Sequence, residues 1–181
     1  MTASPIHGDH VSCSRVGGAM RRESSRLRQS GQSLEDVAGD LAAWEGPAAD
    51  AADAVTAVTA ALQALRATAD DLDQAGAVLQ RYATDLAEAH ELGRRAALRV
   101  QGAGLILAGT RVIEPWGPAS AQEAGRRRAQ LPEVQARVDL ATAHVGRARA
   151  RLEREMTRLT EVFSGHSRAA HSARRSALPP R

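Results

Sequence analysis

Apolar residues recur at every seventh position along three stretches of the chain, a spacing typical of helices that pack side by side. The first row is Met20, Leu27, Leu34 and Leu41. The second row is Val58, Leu65, Leu72, Leu79 and Leu86, and the third is Val138, Val145, Leu152 and Leu159. The alternation of apolar and polar residues that is typical of strands is missing from the sequence. The pattern therefore predicts three helices.

Two interruptions separate the rows. Gly46 breaks the first helical pattern, and Pro47 suits the first turn of the next helix, where its missing N–H costs nothing. The second interruption, residues 101–119, is rich in Gly and Pro, and Ser120 then has the spacing of a capping box with Glu123. Because the first connection is short, the first two helices must run antiparallel. The predicted fold class is all-α: an elongated antiparallel helical hairpin with an additional C-terminal helix packing as a three-helix coiled-coil-like bundle.

These elements predict five segments along the chain of 181 residues. They are a flexible leader at 1–18, a helical hairpin at 19–100, a Gly/Pro-rich connection at 101–119, a C-terminal helical segment at 120–164 and a basic disordered tail at 165–181.

The composition predicts a thin core. Apolar residues make up 43% of the chain but aromatic residues only 2%, and much of the apolar share is alanine, which buries little area. A thin helical core needs a third helix or a partner to cover it. We therefore expect a helical hairpin partner or self-association unless the third helix packs on the hairpin.

The junction between the first two helices carries a resemblance. The triplet Trp44-Glu45-Gly46, within "LAAWEGPAADAADAV", resembles the WXG-like helical hairpin family and is similar to the N-terminal secretion domain of actinobacterial type VII (ESX-type) secretion substrates. The similarity spans roughly 20–98. It implies that Trp44, Gly46 and Pro47 form a recognition and turn motif, and that the partners are a second helical hairpin and the secretion machinery.

A second motif of the family is present in altered form. Its export signal is a tyrosine followed at the fourth position by Asp or Glu, after the second helix or in a paired protein. Here Tyr82 is followed at the third position by Asp85, while the fourth position is Leu86. Tyr82 and Asp85 are therefore weak export-signal candidates.

Other patterns predict no catalytic site, cofactor or metal. His7, His10 and Cys13 have metal-like spacing but lack a fourth ligand. "GAG" at 102–104 follows no strand and is interpreted as a helix terminator, not as a dinucleotide-binding loop. His90, Glu88, Glu91 and His144 are interpreted as parts of solvated helix faces, so the chain is not expected to be an enzyme.

The charge pattern leaves an alternative open. The net charge is +3, the centre of the chain is acidic, and arginines cluster at 21–28, 94–99, 126–128 and in the tail. A cytoplasmic basic coiled-coil scaffold or nucleic-acid-binding protein would also fit, although no aromatic residues are interleaved to stack on bases. No membrane span is expected. The leader lacks the apolar core of a signal peptide, which predicts secretion without a cleaved signal peptide, or a cytoplasmic protein if it is not exported.

Overall fold

A computed structural model describes the backbone of residues 5–43 and 48–176, with the side chains of these residues except 48–51 and 169–176. The elements are helix α1 (His10–Ala42), helix α2 (Ala48–Gly102), strands β1 (Ile106–Ala108) and β2 (Arg111–Ile113), and helix α3 (Ala121–Ser176). The predicted all-α class is confirmed. Residue contacts divide the chain into two compact units: Met1–Ser14 with Arg81–Glu153, and Arg15–Gln80 with Arg154–Arg181.

In the second unit, α1 lies against α2 through small residues. The buried residues of α1 are Gly17, Ser24 and Gly31, one every seventh position. The Ser24 hydroxyl donates a hydrogen bond of 2.7 Å to the carbonyl oxygen of Ala69. Because the absence of bulky side chains lets two helix backbones approach closely, this row sets the α1–α2 distance.

Ion pairs flank this contact and fix its antiparallel direction. Arg21 binds Asp73 at 3.1 Å and Arg28 binds Asp70 at 2.9 Å. As the residue number rises along α1, its partner's number falls along α2. All four side chains are well exposed, so the pairs contribute more to register than to stability.

The predicted leucine row of α1 is therefore corrected. Leu27 and Leu34 are only half-buried, whereas the small residues three positions before each of them are buried. A heptad of leucines would hold the two backbones further apart than the hydrogen bond from Ser24 to the α2 backbone allows. The third row fits the prediction better, since Val138 and Leu159 are fully buried.

In the first unit, the N-terminal segment before α1 packs on α2. Ile6 is buried, and a Cβ placed on Gly93 would lie 2.9 Å from the Ile6 side chain. The helix α1 then begins at His10, because Asp9 caps it by accepting hydrogen bonds from the backbone of Val11 and Ser12. The prediction of a flexible leader at 1–18 is wrong for residues 5–18, since Ile6 anchors the segment and the helix starts within it.

The connection after α2 is ordered by a glycine cap and a hairpin. Gly104, at φ +67°, follows the helix. The N–H of Gly104 donates a hydrogen bond to the carbonyl oxygen of Gln101, and the N–H of Leu105 donates to that of Val100, as in a Schellman motif. Strands β1 and β2 then pair antiparallel around Gly109 and Thr110. The terminator interpretation of 102–104 is confirmed, but the short hairpin was not predicted.

Helix α3 is longer than predicted at its C-terminal end. It begins after Ser120, whose hydroxyl accepts the N–H of Glu123 at 3.2 Å, which is one half of the predicted capping box. The Glu123 carboxylate pairs with Arg127 along the helix. Pro132 lies inside α3 without ending it, and the helix continues to Ser176. The prediction of a disordered tail from 165 is therefore wrong for residues 165–176; residues 177–181 lie outside the described part.

Candidate functional site

The predicted recognition motif occupies the segment between α1 and α2. Trp44, Gly46 and Pro47 lie outside the described residues. The helices on either side end at Ala42 and begin at Ala48. The motif thus stands, in sequence, between two helices that pack antiparallel in the second unit.

The export-signal candidates Tyr82 and Asp85 lie one turn apart on α2 in the first unit. Tyr82 is half-buried and packs against a core cluster that includes Leu86 and Ala141. Asp85 accepts a hydrogen bond of 2.7 Å from Arg151 of α3. Both side chains therefore make contacts within the unit. A partner that binds them must displace their contacts with α3.

His10, at the start of α1, lies beside His90 of α2. The His10 and His90 rings lie 5.8 Å apart, and His90 Nε2 is 3.0 Å from the carbonyl oxygen of Gly8. Among the residues whose side chains the structure describes, no group of three His, Cys, Asp or Glu side chains is arranged to bind a metal ion. These contacts hold the N-terminal segment on the helix.

The acidic and imidazole groups that the sequence assigned to solvated faces form local pairs. Glu91 accepts hydrogen bonds from Arg94 and Arg95, and these arginines, Arg94 first, lower the pKa of its carboxyl to about 2. His144 Nε2 of α3 lies 3.7 Å from a carboxylate oxygen of Glu88. The first arrangement holds a carboxylate ionised and surrounded by arginine, which suits an ion-pair network rather than proton transfer near neutral pH.

A groove in the first unit was missed by the sequence analysis. It lies between the C-terminal part of α2 and the N-terminal part of α3, and encloses about 690 Å³. Its floor includes the buried side chains of Ala96 and Val134. Leu98 and Leu140 line it with 52% and 56% of their surface exposed. Two half-exposed leucines therefore leave apolar side-chain surface uncovered at this groove.

Arginine dominates the charges around this groove. Arg95, Arg99 and Arg137 line it, against the single acidic residue Glu133. Arg95 is paired with Glu91, and Arg137 with Glu133, in exposed contacts of 2.7 and 2.9 Å. Arg99 has no ion pair among the described residues. The groove therefore combines an apolar floor with one arginine, Arg99, that is not paired with a carboxylate among the described residues.

The two leucines of this groove are visible in the sequence, but their positions give no indication that they lie together. Leu98 and Leu140 fall outside the three heptad rows, so each looks like an isolated surface leucine, and such residues are common. Only the pairing of α2 with α3 brings the two leucines to one groove.

No protein family, curated protein or solved structure matches this chain. Within the described residues, none of the helices is long and apolar enough to cross a membrane.

Proposed function

We propose that this protein is a type VII secretion-associated interaction module or substrate, which uses its Trp-x-Gly helical hairpin as an export and partner recognition element. The observation that carries the proposal is the position of Trp44 and Gly46, directly between α1 and α2. The small-residue contact of Gly17 and Ser24 with α2 makes these helices a closely packed pair. A tryptophan between such helices is the feature on which the resemblance to WXG-like proteins rests.

The chemistry of the motif suits recognition by another protein. An indole offers a large, rigid apolar surface with one N–H donor, and tryptophan is enriched among the residues that dominate binding energy at interfaces. Gly46 permits backbone conformations closed to other residues. In this proposal the secretion machinery binds the Trp44 side chain, and the protein acts by binding, without catalysis.

Tyr82 and Asp85 have a smaller part in this proposal. Their spacing departs from that of the family, and Asp85 is engaged by Arg151. The proposal therefore assigns the tyrosine signal to a hairpin partner, which would be exported together with this chain.

No described contact favours the alternative of a cytoplasmic basic scaffold or nucleic-acid-binding protein. Of the basic segment 21–28, Arg21 and Arg28 pair with carboxylates of α2. This pairing neutralises part of the charge that a phosphate backbone would need.

Fractionation of the encoding strain tests the proposal. The protein should be detected in the culture medium of that strain and be retained in cells that lack the secretion ATPase. A cytosolic marker protein measured in the same fractions controls for lysis. Retention of the protein in cells of both strains would refute the proposal.

A further inference from the structure

We propose that the groove between α2 and α3 in the first unit binds an acidic amphipathic helix of another protein. The groove is defined by Leu98, Arg99, Arg137 and Leu140 around the floor formed by Ala96 and Val134. This inference goes beyond the proposed function, because it concerns a surface that does not include Trp44 and does not require export.

The geometry of the groove selects a helix as the occupant. Both walls are α-helices, whose interior backbone N–H and C=O groups are already paired, so a strand cannot add to them by backbone hydrogen bonding. Side chains of a third helix can instead fill the furrow between two packed helices. On α2 the groove extends from Leu92 to Gly102, about 15 Å along the helix axis at 1.5 Å per residue. That length matches about three turns of a partner helix.

The apolar surface gives this helix its hydrophobic face. Leu98 and Leu140 remain half-exposed although the floor beneath them is buried. Covering both leucines removes apolar surface from water, which favours association. Apolar partner residues at positions i, i+3 or i+4, and i+7 would lie along the furrow.

The charge of the rim gives the helix its acidic flanks. Three arginines and one glutamate line the groove, and Arg99 lacks an ion pair among the described residues. Carboxylates beside the apolar face of the partner would meet Arg99 first, and would compete with Glu133 for Arg137. The same arginines oppose a symmetric dimer, because two identical grooves placed face to face would bring like charges together.

Two synthetic helical peptides of about 18 residues test the proposal with the full-length protein. Both carry leucine at the spacing given above; one has glutamate at the flanking positions and the other has lysine. Fluorescence anisotropy of the labelled peptides measures binding. The acidic peptide should bind at least about tenfold more tightly than the lysine peptide, with a preference that weakens as salt is raised.

Variants locate the binding surface. The double variant Leu98→Ser with Leu140→Ser should weaken binding of the acidic peptide at least about tenfold, as expected when central apolar contacts are lost. The double variant Arg99→Glu with Arg137→Glu should reverse the preference between the two peptides. Val37→Ser is the matched control, because Val37 is a similarly exposed apolar residue on α1, and binding should be unchanged. Circular dichroism confirms that each variant retains its helices.

Three results would overturn the proposal. One is failure of the acidic peptide to bind, or equal binding of both peptides. Another is unchanged binding by the leucine variant when its helix content is native. The third is self-association of the wild-type protein, seen by light scattering, that the leucine variant abolishes, since a second copy would then occupy the groove.

Discussion

Gly17 of α1 and Gly76 of α2 meet backbone to backbone. A Cβ on Gly17 would lie 2.7 Å from the carbonyl oxygen of Gly76, and a Cβ on Gly76 would lie 2.6 Å from that of Gly17. Neither distance leaves room for a methyl group. The contact between these helices in the second unit therefore depends on two residues that have no side chain.

Alanine at either position should destabilise the protein. Gly17→Ala or Gly76→Ala forces the two backbones apart, and overpacking of this kind typically costs about 1–3 kcal/mol. Gly39→Ala is the control on α1, because nothing lies within 4 Å of the added methyl group. That change should stabilise the helix by about 0.5–1 kcal/mol. Urea unfolding measures both effects, and a stabilising Gly17→Ala would contradict this packing.

The sequence predicted three helices but not how the first two meet. Leucine rows dominate a hydrophobicity pattern, so such a pattern does not reveal the row of Gly17, Ser24 and Gly31, although this row has the same seven-residue spacing. The N-terminal segment departs from its prediction for a related reason. Its Gly, Ser and His composition suggests a loose chain, whereas Ile6 and the cap at Asp9 order it through a contact with distant α2 that composition does not reveal.

Two leucines of α3 differ in burial, so their truncation should differ in its effect on stability. Leu159 is 2% exposed, so Leu159→Ala should lower the free energy of unfolding by about 2–5 kcal/mol, as cavity-forming changes in cores do. Leu140, on the same helix, is 56% exposed, and Leu140→Ala should cost less than about 1 kcal/mol. Chemical denaturation compares the two. Equal losses would show that the two leucines are buried to a similar extent.

The β-hairpin formed by β1 and β2 is held to α3 by the side-chain amide of one residue. Gln135 of α3 accepts the N–H of Val112 at 2.7 Å and donates to the carbonyl oxygen of Thr110 at 2.9 Å. Gln135→Ala leaves the N–H of a buried residue without this partner, at a cost of about 1–3 kcal/mol. Amide hydrogen exchange at Val112 should accelerate, whereas Gln130→Ala at an exposed site should not change it. An unchanged rate of amide exchange at Val112 in Gln135→Ala would rule out a role for these two hydrogen bonds in holding the β-hairpin.

The cap of α1 should make its stability depend on pH. The hydroxyl of Ser12, and then its backbone N–H, lower the pKa of Asp9 below the ordinary value of 3.8. Because the folded protein favours the ionised form, the stabilisation is present above pH 3.8 and is lost as the pH falls through the lowered pKa. Asp9→Ala should therefore lower the thermal midpoint at neutral pH, with a difference from wild type that shrinks in strong acid. Asp9→Asn, which keeps a capping oxygen, should retain most of the neutral-pH stability; an Asp9→Ala deficit independent of pH would contradict the cap.

The central claim is that the motif of Trp44 and Gly46 is recognised for export, and secretion of Trp44→Phe tests it most directly. Phenylalanine keeps most of the apolar surface of the tryptophan side chain, so the helix content by circular dichroism should stay near that of wild type. A partner pocket shaped for indole would bind it less well. Trp116→Phe is the matched control, because Trp116 is 103% exposed. We predict that the fraction of protein in the culture medium falls sharply for Trp44→Phe and is unchanged for Trp116→Phe; equal secretion of wild type and a well-folded Trp44→Phe variant would contradict the claim.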